Sequence, residues 1–119
     1  MFLNMRFNRL WGSVPDAIGA FSALRELLLD SNQLNGTISP SLGHLSTLES
    51  LSLENNFLEG VLSNHHFSNL SRLSYLSLSN NPKLVVNISA NWIPPFQLEY
   101  IDLRSVSYTH LTLPTKRIV

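Results

Sequence analysis

The sequence predicts a solenoid in which coils of fixed length stack so that short strands run in parallel along a concave face. Two observations carry this expectation. Asn8, Asn32, Asn56 and Asn81 sit in matching surroundings at spacings of 24, 24 and 25 residues. Around them the pattern LxxLxLxxNxLxG recurs, most fully in Leu24-Leu27-Leu29-Asn32-Leu34-Gly36 and Leu48-Leu51-Leu53-Asn56-Leu58-Gly60. A fixed period in this range marks a repeat architecture. It disfavours an ordinary α/β domain with leucine-bearing helices, whose elements have no reason to keep one length.

Each part of the unit has a physical role. In every LxL step two leucines flank one outward residue, the period of two expected for a short strand with one buried face. The run Leu73-Leu76-Leu78-Asn81-Leu84 continues the series, and Leu98-Ile101-Leu103 opens a fifth unit. The asparagine falls where the chain bends inward, so its amide is expected to satisfy backbone groups that would otherwise be buried unpaired. A ladder of structural asparagines, Asn8, Asn32, Asn56 and Asn81, should link neighbouring coils. A single unit exposes its leucine face, and each leucine that becomes buried contributes roughly 1.5–3 kcal/mol, so the units are stable only when stacked.

Composition narrows the function. The 119 residues are 44% hydrophobic and 13% charged, enough apolar material for a folded core. Eight basic and eight acidic residues are scattered along the chain, giving no electrostatic footprint for nucleic acid or an anionic membrane. The absence of cysteine removes disulfides, thiolate metal sites and cysteine nucleophiles. Met1 to Arg6 does not read as a signal peptide, and no run of 18 apolar residues reads as a membrane anchor.

After the asparagine, three units continue as Leu10-Gly12-Val14-Pro15, Leu34-Gly36-Ile38 and Leu58-Gly60-Leu62, the first two running on to Ile18-Gly19 and Leu42-Gly43-His44-Leu45. This resembles the plant extracellular leucine-rich repeat, with its LxGxIPxxLGxLxx extension. The resemblance implies an α/β-type leucine-rich repeat solenoid. That fold is a curved right-handed coil with short parallel strands on the concave face, a second short strand after each bend, and irregular or 3-10 convex segments. Glycine at the bend suits a positive φ or close packing between coils. Ser39 stands where the pattern has proline, Ser63-Asn64-His65-His66-Phe67 interrupts the third unit, and Pro82-Lys83 replaces the LxG step of the fourth. Those coils are expected to be looser on the convex side.

The segments Phe67-Ser68-Asn69-Leu70-Ser71, Leu78-Ser79-Asn80-Asn81-Pro82 and Asn91-Trp92-Ile93-Pro94-Pro95-Phe96-Gln97-Leu98 resemble central repeats of plant receptor-like proteins of the xylanase-receptor type. The resemblance covers residues 1–104, about four and a half coils without the cysteine-bearing caps of such ectodomains. An array of that kind, uncapped, is expected to be unstable or to aggregate by itself. It implies a parent at the plasma membrane, facing outward, membrane-anchored although no anchor lies in this chain. The parent would bind a peptide, glycan or protein ligand, work with a co-receptor kinase and serve immune or developmental signalling. Two alternatives share the repeat type: a secreted inhibitor of a microbial cell-wall hydrolase, and the ectodomain of a receptor kinase.

Sequons at Asn35, Asn69 and Asn87, placed at predicted turns outside the LxL strands, agree with a secreted parent and are candidate glycosylation sites. Candidate ligand-binding residues follow from the strand register. One column holds Glu26, Ser50, Tyr75 and Tyr100, the next Leu28, Ser52, Ser77 and Asp102, and the last Asp30, Glu54, Ser79 and Arg104. Tyr75 and Tyr100 are the strongest anchors, since an amphipathic ring offers contact area at small entropic cost.

Catalysis finds no motif: there is no GxSxG elbow, phosphate loop or HExxH, and no cofactor is implied. His65-His66 is the one cluster with metal or acid–base potential. Adjacent side chains diverge and no third ligand is near in sequence, so a solvated convex loop is expected and no metal site. Trp11 and Trp92 are read as packing residues. Beyond Leu103 the repeat is abandoned, and Val106 to Thr115 resembles the translation of a transposase-type sequencing adaptor. Residues 105–119 are therefore read as a non-native tail, against the alternative of an edge strand built on Tyr108, Leu111 and Leu113. Without Lys116 and Arg117, six basic and eight acidic residues remain.

Overall fold

The computed structural model describes residues 1–109 and 114–119. Leu111 and Leu113 lie outside the described residues. The chain forms β1 (Phe2–Asn4), β2 (Trp11–Gly12), a 3-10 turn at Asp16–Ala20, β3 (Glu26–Leu28) and β4 (Gln33–Gly36). A second 3-10 turn at Pro40–His44 leads into β5 (Ser50–Ser52) and β6 (Phe57–Leu62), and a third at Asn64–His66 into β7 (Tyr75–Ser77). β8 (Lys83–Asn87), β9 (Tyr100–Asp102) and β10 (Ser107–Thr109) complete the order.

Odd- and even-numbered strands separate into two sheets. The LxL strands form the parallel sheet β1-β3-β5-β7-β9, and the strands after each bend form β10-β8-β6-β4-β2. Register follows the repeat: Leu3, Leu27, Leu51, Leu76 and Ile101 lie side by side across the first sheet. Leu27, Leu48, Leu51, Leu58, Leu70 and Leu84 have no measurable exposure, so the core runs the length of the stack rather than filling a centre. At roughly 1.5–3 kcal/mol per covered leucine, this continuous column offsets the ordering of coils that share few contacts beyond their neighbours.

The asparagines form the ladder in detail. Asn56 Nδ2 donates to the carbonyls of Leu29, Leu53 and Glu54, each at 3.1 Å, while its Oδ1 accepts from Leu34 N–H at 3.0 Å. Asn32 and Asn81 repeat the arrangement, receiving Leu10 N–H and Leu58 N–H. Asn8 is exposed and donates only locally, to Met5 O and Arg6 O. A second row escapes the leucine pattern. Phe7, Ser31, Asn55, Asn80 and Ser105, each immediately before a ladder position, take φ between 55° and 61°. Of these, Asn80 donates to Asn55 Oδ1 at 2.7 Å and Asn55 to Ser31 Oγ at 3.3 Å.

The two kinds of glycine answer to different constraints. Gly12, Gly36 and Gly60 adopt φ of +91°, +77° and +87° at the bend. Gly43 instead permits close approach: a Cβ there would meet His65 O at 2.7 Å.

Where the third unit departs from pattern, the convex side is packed rather than loose. Ser63 caps a 3-10 turn reciprocally with His66. His66 is buried, accepts Ser63 N–H at Nδ1 (3.1 Å) and has Nε2 2.9 Å from Ile38 O in the preceding coil. The expectation of a solvated loop therefore holds for exposed His65 and fails for His66, because a ring that links two coils must lie between them.

Coil geometry also outlasts the sequence pattern. Ser105 takes the left-handed bend, Val106 occupies the next ladder position and β10 pairs with β8. Residues 114–119 lie along β9 through bridges Leu98–Thr115 and Ile101–Ile118. Backbone hydrogen bonds template the next coil whatever its side chains, but Val106 has no amide with which to add a rung.

Candidate binding face

The first sheet brings the predicted columns together as read. Phe2, Glu26, Ser50, Tyr75 and Tyr100 are in register, as are Asn4, Leu28, Ser52, Ser77 and Asp102. Burial then divides them. Asp30, Ser52, Ser77, Ser79 and Asp102, expected on display, are covered. Four of the five are engaged by longer side chains, Arg6 on Asp30, Arg104 on Asp102 and Glu54 on Ser77 and Ser79. Glu26, Leu28, Ser50, Glu54, Tyr75 and Tyr100 are half-buried, and Arg104 is exposed.

The buried acids are paired. Arg104 forks onto Asp102, Nε to Oδ1 at 3.0 Å and Nη2 to Oδ2 at 2.8 Å. Burial acts to raise the Asp102 carboxyl, but the Arg104 side-chain and backbone hydrogen bonds and its charge outweigh it, leaving the group below its ordinary value. Arg6 Nε lies 2.9 Å from Asp30 Oδ1 and 3.0 Å from Oδ2, and only the latter contact has hydrogen-bond geometry. Glu54 Oε2 accepts from Ser77 Oγ at 2.8 Å and Ser79 Oγ at 3.0 Å.

Tyr75 and Tyr100 stack with centroids 4.7 Å apart and planes within 5°. Burial, followed by Glu54 for Tyr75 and Asp102 for Tyr100, raises both phenols, so their hydroxyls remain protonated and able to donate. Arg117 lies 5.4 Å over the Tyr100 ring. Beside Tyr75 opens a groove of about 270 Å³ lined by Arg6, Glu26, Leu28, Ser50, Ser52 and Tyr75. Ser52 Oγ is buried in its lining and, among the described residues, has no hydrogen-bond partner. Arg6 was missed by the column reading although it precedes Asp30 by 24 residues, one repeat, which is the signal that places it there.

Other predicted positions distribute over the second sheet and convex side. Asn35, Asn69 and Asn87 are all exposed and outside the first sheet, but Asn35 lies within β4 and Asn87 ends β8 rather than occupying turns. The post-bend strands are longer than the leucine spacing indicates. Trp92 packs at 6.1 Å edge-to-face on buried Phe96, whereas Trp11 is 81% exposed and does not pack as expected. Its edge strand β2 leaves the ring nothing to lie against. Among the described residues no three metal-ligating side chains cluster, and no helix is long and apolar enough to cross a membrane.

Stacked coils, an amide ladder and a ridged concave sheet define a repeat protein built as a surface rather than a pocket. The chain belongs to the leucine-rich repeat family: residues 22–82 match the model described as leucine rich repeat. Over 44 residues it is 50% identical to each of two tomato (Solanum lycopersicum) receptor-like proteins, EIX2 and EIX1. That stretch is 37% of this chain and 4% of either relative, so the chain matches only a small part of their length. The leucine-rich repeat ectodomain of the receptor kinase SOBIR1 from Arabidopsis thaliana has the same fold. The match has a TM-score of 0.56 at 23% identity, covering 98% of this chain and 73% of that one.

Proposed function

We propose that this chain is a ligand-binding segment of the ectodomain of a plant cell-surface receptor-like protein. Its parent is anchored in the plasma membrane and takes part in immune or developmental signalling with a co-receptor kinase. The likeness to the tomato receptor-like proteins supports the class. One observation carries the location: the groove on the first sheet in which buried Ser52 Oγ lacks a partner, walled by Tyr75 and Arg6. A buried hydroxyl without a partner costs about 1–3 kcal/mol, a cost that a ligand's polar group removes. The ligand class that fits is a peptide, glycan or protein segment lying across the strands, with Tyr75 and Tyr100 as anchors and Glu26, Ser50 and Arg6 as polar contacts.

Alanine at Tyr75 and Tyr100 in the parent receptor should weaken ligand binding by tenfold or more, taking about 1.4 kcal/mol per decade. Alanine at Val61, on the second sheet, should leave it unchanged. Equal binding by both variants would remove this face from consideration. We also propose that residues 105–119 are foreign to the array in sequence, although Ser105 to Thr109 follow its coil geometry. Genomic codons for Val106 to Thr115 contiguous with those of Leu103 would refute that.

A further inference from the structure

The second sheet carries a feature that the ligand-binding reading does not use. Asn35 of β4 is the in-register partner of Phe57 of β6. Both are exposed, Phe57 by 65%. Both line a groove of about 300 Å³, together with Leu58, Glu59, Pro82 and Lys83. Asn35 heads an Asn-Gly-Thr sequon, and its amide enters no hydrogen bond among the described residues. Asn87 differs: its groove is lined by Ser63, Asn64, His65 and Ser89, without a benzenoid ring.

We propose that Asn35 is N-glycosylated and that the Phe57 ring is the platform on which the first N-acetylglucosamine lies. The inference rests on the secreted, cell-surface reading above. Paired residues on parallel strands are about 4.8 Å apart, so a sugar joined to Asn35 Nδ2 begins one strand spacing from the ring. A pyranose presents a face of weakly positive C–H groups, and an aromatic ring presents a negative π face, so the two attract while both shed water. Glu59 and Lys83, in register with each other at the rim, offer an acceptor and a donor to the sugar hydroxyls. An exposed phenylalanine on the sheet is thereby covered by a group that the same chain carries.

The chain is secreted from cells that make only high-mannose glycans, and glycopeptide masses are read at all three sequons. Modification at Asn69 or Asn87 with Asn35 bare overturns this inference alone; no modification anywhere overturns the secreted reading with it. With Asn69→Gln and Asn87→Gln in place, trimming with endoglycosidase H leaves one N-acetylglucosamine at Asn35. Its ring protons should show upfield ring-current shifts by NMR, lost in Phe57→Ala and in Phe57→Leu. The rise in melting temperature over the unmodified Thr37→Val chain should fall by half or more in both Phe57 variants. Phe57 is exposed, so neither variant is expected to unfold the chain. Unshifted sugar protons, or an undiminished rise in Phe57→Ala, overturn the proposal.

Discussion

Replacing Asn56 by alanine should destabilise the stack far more than replacing Asn8, although both stand at the same place in the repeat. Asn56 is 4% exposed, and its amide serves three carbonyls and one N–H. Two of those carbonyls, Leu29 and Leu53, and Leu34 N–H are themselves in buried hydrogen bonds. A buried group left without a partner costs about 1–3 kcal/mol. Losing the Leu34 acceptor and the shared donor together should cost about 3–5 kcal/mol, a large part of the ~5–15 kcal/mol that holds a typical domain. The exposed Asn8 makes two local bonds that water can replace, so its alanine variant should lose about 1 kcal/mol or less. Urea unfolding followed by far-UV circular dichroism, at unchanged slope, measures both. Asn56→Asp separates donor from acceptor: it keeps an oxygen for Leu34 N–H but turns a carboxylate toward three carbonyls. It should be as damaging as alanine at neutral pH and recover partly in acid, where the carboxyl regains an O–H. Equal losses for Asn56→Ala and Asn8→Ala, or an Asn56→Asp variant as stable as the parent, would refute the ladder argument.

Gly43→Ala should lower stability by about 1–3 kcal/mol, because its Cβ would stand 2.7 Å from the backbone oxygen of His65, which can yield only by separating two coils; thermal melts would show it. Ser31→Asn should raise stability by about 0.5–1 kcal/mol: φ of 59° suits asparagine better than serine, and the amide would extend the row formed by Asn55 and Asn80. For the Asp102–Arg104 pair the folded carboxyl is lowered, so its contribution is full above the unfolded value of about 3.9 and is lost as pH falls through the folded one. The stability difference between the parent chain and Arg104→Gln, measured by urea midpoints, should therefore shrink below about pH 4; a difference that grows in acid would contradict the pairing.

The period of the asparagines and leucines determined by itself that the chain is a stacked solenoid, which strands are parallel and which residues share a column. Those properties repeat along the chain, and each coil can be read from its own letters. The second strand after each bend was expected only through the resemblance of the LxGx extension to the plant extracellular repeat. What only the tertiary structure decided depends on the neighbouring coil. Asp30, Ser52 and Asp102 look displayed in a strand pattern, yet are buried, Asp30 with Arg6 of the preceding coil on it. Arg6 joins the candidate groove from one repeat away, and His66 becomes a link between coils through its contact with Ile38 O. Asn35 and Phe57, 22 positions apart, meet because parallel pairing places them side by side. Periodicity encodes what every coil does alike, whereas burial, charge pairing and grooves arise from the departures that meet across the gap between coils.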